Sequence, residues 1–233
     1  TEHQRKAALV YHAARKREDH FRTERNAVLA ITGAHTGAAK DGSKDTLRDL
    51  GSLSFQAHTV RAQEVASVLR LADELAEGPE RTSAYLQNHD MYTHGSQLFH
   101  KYASISDYCI ERGASRIALT YSIDIELGSN GLEAGHNANL KDLLQLTYFR
   151  IRKLDQERRY CKHYSNLLSV FKETGAAFIF YHDGQKLDLD IQPIVISDLI
   201  VPGEHTKTIE DIDAKYAISS LQYMLEDACK STL

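Results

Sequence analysis

The sequence is poor in proline, with three residues in 233, and it has no long apolar run. Few prolines, with 42% hydrophobic and 26% charged residues, exclude a collagen-like or disordered chain and favour a helix-rich globular one. A membrane helix needs about 20 consecutive apolar residues, and no stretch approaches that length, so no spanning segment is expected. The amino-terminal stretch is charged and lacks an apolar core, so no signal peptide is expected either, and a cytoplasmic location follows as the expectation. Thr1 stands where a Met would start a gene, which leaves room for natural residues ahead of it. No sign of charge dominates: 28 Lys and Arg against 32 Asp and Glu give a net charge of -4, with no global pull toward nucleic acid or anionic lipid. Cys109, Cys161 and Cys229 lie far apart, form no CxxC and are read as reduced thiols. Absent too are GxxxxGK[ST], GxGxxG and GxSxG, the marks of phosphate loops, dinucleotide folds and α/β-hydrolase elbows.

What the chain has is a change of period near its middle. Up to Glu77 the apolar spacing is helical. One helix is predicted through Ala7, Val10, Tyr11 and Ala14, and a second from Thr23 through Val28, Ile31 and Ala34. Gly37, Gly42 and Gly51 bracket a polar loop in which Thr46 followed by Asp49 reads as a capping-type start. A helix over Thr59 to Glu77 would place Val65, Val68, Leu69, Ala72 and Leu75 on one face, and Gly78-Pro79 would stop it. A further helix is predicted from Tyr92 to Glu111. After Gly113, Arg116 to Glu126 alternates as a strand does. A long amphipathic helix follows from Asn139 to Phe171, then strands Ala176 to Tyr181 and Lys186 to Ile191 joined by the Asp183-Gly184 turn, then a closing helix from Ile209 to Cys229. The expected fold is mainly α, a helical bundle over 1-112 followed by a smaller α+β part with about three strands over 113-233.

Histidine is enriched, at 12 residues, which points to metal or phosphate chemistry and also multiplies chance patterns. At 100° per residue Asp73 falls between Ala62 and Ala66 at the rim of its helix's apolar face, where small neighbours leave room for an approaching group. A carboxylate withdrawn from water needs a charged partner: a metal ion, or Arg70 one turn back. His35 closes the second helix on the apolar side of Ile31, and His3 shares a face with Ala7 and Val10. Imidazole nitrogen with carboxylate oxygen suits Mn, Fe, Ni or Zn and hydrolytic chemistry; a core histidine bonded to a carbonyl is the structural alternative. Arg5-Lys6, Arg15-Lys16-Arg17, Arg22 and Arg25 could hold phosphates or form a solvated face balanced by Glu18, Asp19 and Glu24. The basic and aromatic residues from Tyr148 to Lys162 scatter over several helix faces, which does not favour nucleic acid as a partner.

His3 to Val10, Ala30-Ile31-Thr32-Gly33-Ala34-His35-Thr36-Gly37 and Val68-Leu69-Arg70-Leu71-Ala72-Asp73-Glu74-Leu75 together resemble the later part of an HD-domain phosphohydrolase. The likeness is to the helical domain of exopolyphosphatase and guanosine pentaphosphate phosphatase, and to HD domains of bacterial conflict systems, and it spans residues 3 to 82. It implies a helical bundle holding a divalent metal (Mn, Fe, Ni, Zn or Mg) and hydrolysing a phosphoester or phosphoanhydride of a nucleotide or polyphosphate. By position, Asp73 matches the family's final Asp, His35 the His ending the preceding motif helix, and His3 the His before an Arg-Lys/Ser-Ala turn. His3, Arg5 and Lys6 would then face the substrate's phosphoryl oxygens. The family's His-Asp dyad would precede His3, whereas the His-Asp pairs of this chain are His89-Asp90 and His182-Asp183. Either another domain or chain supplies the dyad, or the chain is a non-catalytic sensing or interaction module with a degenerate site.

Overall fold

A computed structural model describes residues 2, 4–7, 21–35, 37–55, 58–83, 85, 86, 89, 91–125, 134–189, 191–199 and 211. In chain order its elements are α1 (Phe21–Ala34), β1 (Leu53–Phe55), β2 (His58–Val60), α2 (Ala62–Leu75), α3 (His94–Ile105), β3 (Ser106–Glu111), β4 (Arg116–Asp124), α4 (Ala134–Tyr164), β5 (Glu173–His182), β6 (Gln185–Lys186) and β7 (Ile194–Ser197). The predicted helix through Ala14 beyond residue 7 and the closing helix after Ile209 lie outside the described residues, Asp211 apart.

The expectation of a mainly helical bundle with about three strands is overturned. β3, β4, β5, β6 and β7 form a five-stranded mixed sheet, and β1 pairs with β2 in a second, two-stranded one. Three causes account for the difference. β1 and β2 are three residues each, too short for alternation to register. Ser106–Glu111 continues the apolar spacing of the helix before it, yet it pairs antiparallel with β4, Tyr108 opposite Leu119 and Ile110 opposite Ile117. β7 is four residues directly after Pro193, too short for alternation to register, and it pairs antiparallel with β5.

The chain packs as two compact units, one formed by Thr1–Glu74 with Glu157–Ser169, the other by Leu75–Gln156 with Val170–Leu233. In the second unit β4 and β5 run parallel from Arg116 opposite Glu173 to Asp124 opposite Tyr181. Parallel neighbours need a crossover, and α4 provides it. Ile117, Leu119, Tyr121 and Ile123 of β4 are buried together with Ala176, Phe178 and Phe180 of β5, so one face of the sheet is core. Tyr121 stacks on Phe178 at 5.3 Å between centroids, and Tyr148 of α4 lies over Phe178 at 5.4 Å. Full burial of each such side chain is worth about 1.5–3 kcal/mol. The predicted Asp-Gly turn is present, with φ of 49° at Asp183 and 73° at Gly184, as a type I′ hairpin requires.

In the first unit a small core joins Ala34, Leu47, Leu50, Ala62 and Ala66, with Ala30, Ile31, Leu53, Tyr160 and Tyr164 packed against it. α2 presents a different face from the one its apolar residues predict. Ala62, Ala66, Ser67 and Leu71 are buried, whereas Val65 and Val68 are 46% and 40% exposed. The polar side chains of α2 on the inner side find partners in the loop before β1, Gln63 at the Leu47 carbonyl and Arg70 at the Thr46 hydroxyl.

Candidate functional site

His35 directly follows α1 and is buried. Its Nδ1 lies 2.6 Å from the Thr32 carbonyl oxygen. A carbonyl only accepts, so Nδ1 carries the proton of this bond. The helix end is itself held. Thr32 donates through Oγ1 to the Val28 carbonyl at 2.7 Å, and Thr46 donates through Oγ1 to the Ala34 carbonyl. Gly33 faces Gln4 so closely that a Cβ there would overlap the Gln4 amide, which brings residues 4–7 against the last turn of α1. On that segment Arg5 is exposed, and Lys6 pairs with Glu2 at 2.8 Å on the surface. His3 lies outside the described residues, as does Arg15-Lys16-Arg17.

Asp73 lies near the end of α2 and is exposed, so water screens its carboxylate more than a rim position predicts. Arg70, one turn earlier, points to another helix. It grips Glu157 of α4 bidentately, Nε to Oε2 at 2.5 Å and Nη2 to Oε1 at 2.8 Å, with both side chains largely withdrawn from water. Burial works against the Arg70 charge, and the Glu157 carboxylate more than offsets it, so the guanidinium is held protonated more firmly than usual. Its plane covers the Tyr160 ring at 4.6 Å, and Nη1 donates to Thr46 Oγ1 at 3.0 Å.

The loop between α1 and β1 is tied down by groups that sequence reasoning missed. Asp45 Oδ1 accepts from the Tyr164 hydroxyl at 2.8 Å and from the Tyr160 hydroxyl at 3.0 Å. Those bonds, Tyr164 first, hold the Asp45 carboxyl below its ordinary range. Tyr160 also accepts from the Leu47 amide at 3.0 Å, and Gln63 of α2 donates to the Leu47 carbonyl at 3.1 Å. Burial first, and Asp45 second, push the Tyr164 phenol up to about 12. The one signal available in sequence was the spacing of Tyr160 and Tyr164, four residues apart on one helix face.

For a divalent metal, His35 offers an imidazole whose ring is fixed by a backbone bond at Nδ1, as ligating histidines are. Asp73 offers carboxylate oxygen, so the donors fit Mn, Fe, Ni or Zn in kind. In number they stop short, because among the described residues no three His, Cys, Asp or Glu side chains stand close enough together to hold an ion. Of the two His-Asp pairs, His182-Asp183 serves the β5–β6 hairpin, with His182 Nδ1 3.1 Å from the Ile125 carbonyl oxygen. His89 is exposed and stacks on Tyr85, and Asp90 lies outside the described residues. Along α4, Tyr148 and Arg158 are buried, and Arg150 pairs with Glu77. Among the described residues no helix is long and apolar enough to cross a membrane.

A family model described as HD-CE matches residues 1–153. No curated protein and no solved structure matches the chain.

Proposed function

The chain belongs to the HD-CE family, and from that premise we propose that it carries the later part of a metal-dependent phosphohydrolase site. The substrate class is a nucleotide or polyphosphate, cleaved at a phosphoester or phosphoanhydride. The observation that carries this reading is the His35 side chain, whose Nδ1 bond to the Thr32 carbonyl sets the tautomer and ring orientation that a ligating histidine uses. Asp73 is the second ligand, and His3 faces the phosphoryl oxygens of the substrate. A bound divalent ion would supply positive charge to the phosphoryl oxygens and lower the pKa of water at the site. Arg5, exposed beside the last turn of α1, and Lys6 offer further positive charge to those oxygens. The His-Asp dyad that completes an HD centre comes from another domain or chain.

Metal analysis by mass spectrometry tests this directly, on the purified chain beside His35→Ala and Asp73→Asn. Near-stoichiometric Mn, Fe, Ni or Zn that is lost in both variants is the expected result, followed by phosphate release from nucleotides or polyphosphate once the dyad is supplied. Metal absent from all three proteins refutes the reading. The lack of a three-donor group among the described residues favours a second one, a non-catalytic sensing or interaction module that retains the HD architecture. That is the reading which metal-free protein would support.

A further inference from the structure

Two residues assigned above to one site stand on separate elements, His35 at the end of α1 and Asp73 on α2. The Thr46 hydroxyl bridges those elements. Thr46 Oγ1 donates its one proton to the carbonyl of Ala34, the residue before His35, and accepts the Nη1–H of Arg70, three residues before Asp73, at 3.0 Å. A hydroxyl has one donor and two acceptor sites, so the two bonds use it in opposite senses and do not compete. The Arg70 end is anchored: its other two nitrogens are committed to Glu157, and its plane rests on Tyr160. The Thr46 end is anchored as well, because Asp45 and Leu47 on either side of it are bonded to Tyr160. A side chain held from both neighbours and from above has little freedom to follow either helix independently.

We infer that Thr46 is a positioning residue for the candidate site: its hydroxyl sets the end of α1, and with it the His35 ring, against the helix that carries Asp73. The inference rests on the proposed metal reading for its purpose, though not for its geometry. Valine has threonine's shape without the hydroxyl. Thr46→Val therefore leaves the Ala34 carbonyl without this donor and the Arg70 Nη1–H without this acceptor, while packing is kept. Serine keeps the hydroxyl. Arg70→Lys keeps a positive charge opposite Glu157 and removes the planar fork that reaches Glu157 and Thr46 together.

The test uses the whole chain and begins without metal. Long-range nitrogen–proton correlations of the His35 imidazole are recorded for wild type, Thr46→Val, Thr46→Ser and Arg70→Lys. Displaced His35 nitrogen signals are expected in Thr46→Val and Arg70→Lys, with Thr46→Ser superimposing on wild type. His35 signals unmoved in Thr46→Val, or moved as far in Thr46→Ser, overturn the inference. If Thr46→Val does not fold, Arg70→Lys decides, since unmoved His35 signals there also overturn it. Mn2+ is then added to wild type. Paramagnetic broadening at His35 and Asp73 together supports the metal reading, and broadening at neither refutes that reading while the metal-free comparison still decides the role of Thr46. Where Mn2+ binds, Thr46→Val should weaken its dissociation constant about tenfold, the usual scale for lost support behind a ligand, with Thr46→Ser within about twofold. Equal affinities in Thr46→Val and wild type would overturn the inference.

Discussion

The Arg70–Glu157 pair should behave as a withdrawn ion pair whose halves depend on each other. Both contacts are short, at 2.5 and 2.8 Å, and the side chains are 13% and 17% exposed, well below the exposure at which water screens strongly. Two unit charges about 4 Å apart attract by about 4 kcal/mol at an effective dielectric constant of about 20. Taking both ions out of water costs several kcal/mol each, so the pair as a whole stabilises little against an apolar pair of the same volume. Breaking it from one side is another matter. Losing one partner of a buried pair typically costs about 3–5 kcal/mol; Arg70 retains Thr46 and the Tyr160 face when Glu157 is removed, so about 2–3 kcal/mol is expected for Glu157→Ala. Arg70→Met should cost about as much, by stranding Glu157 and removing the contacts to Thr46 and Tyr160. The double variant should then fall short of the sum by about 2 kcal/mol, because each single change has already spoiled the same contact. Amide hydrogen exchange across Ala62–Leu75 is the assay of choice. It reads the opening of α2 itself, whereas two compact units need not unfold in one step. A coupling below about 0.5 kcal/mol would refute the reasoning and class the pair with exposed surface bridges.

Asp45 gives a pH test whose sign follows from its lowered pKa. Its contribution is complete above the unfolded-chain value of about 3.9 and is lost as pH falls through the lower folded value, so the gap in unfolding temperature between wild type and Asp45→Asn should be full at pH 6 and close on acidification below that value. In Asp45→Asn the ultraviolet titration of Tyr164 should move down from about 12 without reaching the ordinary phenol value, because burial outweighs Asp45 among its causes. Burial pushes the Cys161 thiol up to about 12 while Cys109 is exposed, so in a Cys229→Ser background a disulfide reagent at pH 8 should titrate one thiol rapidly; two fast thiols would contradict the packing of α4. Ile123→Ala, at a side chain with 1% exposure between the aromatic residues of β4 and β5, should cost about 3 kcal/mol by denaturant unfolding, and a cost under about 1 kcal/mol would show that the sheet face is not core.

How far the sequence could be read depended on the range over which each contact acts. β4, the crossover helix and the Asp183-Gly184 turn are written in local alternation, period and turn chemistry; β4 and the turn appear within two residues of where those signals place them, whereas the helix, Ala134–Tyr164, starts five residues and ends seven residues before the predicted Asn139 to Phe171. α2 shows where local pattern misleads. Val65 and Val68 point outward, and its inner face is Ala62, Ala66 and Leu71 with Gln63 and Arg70 reaching to the loop and α4. An amphipathic stripe predicts burial only when the neighbouring surface is apolar and large enough to receive it. Here the apolar neighbours are Ala30, Ile31, Ala34, Leu47 and Leu50, and the side chains that join them are Ala62 and Ala66, not Val65 and Val68.

The same limit governs the candidate site. His35 and Asp73 are singled out by short-range features of their own helices, and of the two only His35 is withdrawn from water. The groups that hold those helices were not legible in this way, since Arg70 meets Glu157 across 87 positions and Thr46 across 24, and Tyr164 meets Asp45 across 119. No periodicity connects positions so far apart. Arg70 in particular reads on a helical wheel as a solvated residue or as the partner of Asp73, and only its burial against Tyr160 and Glu157 shows that its charge serves the fold. A guanidinium already committed on three sides is a poor choice for holding a mobile phosphate and a good one for fixing a neighbour. On the proposed phosphohydrolase reading, Arg70 is therefore not the residue that would meet substrate charge, and Arg5 and Lys6, both exposed, are the ones to test.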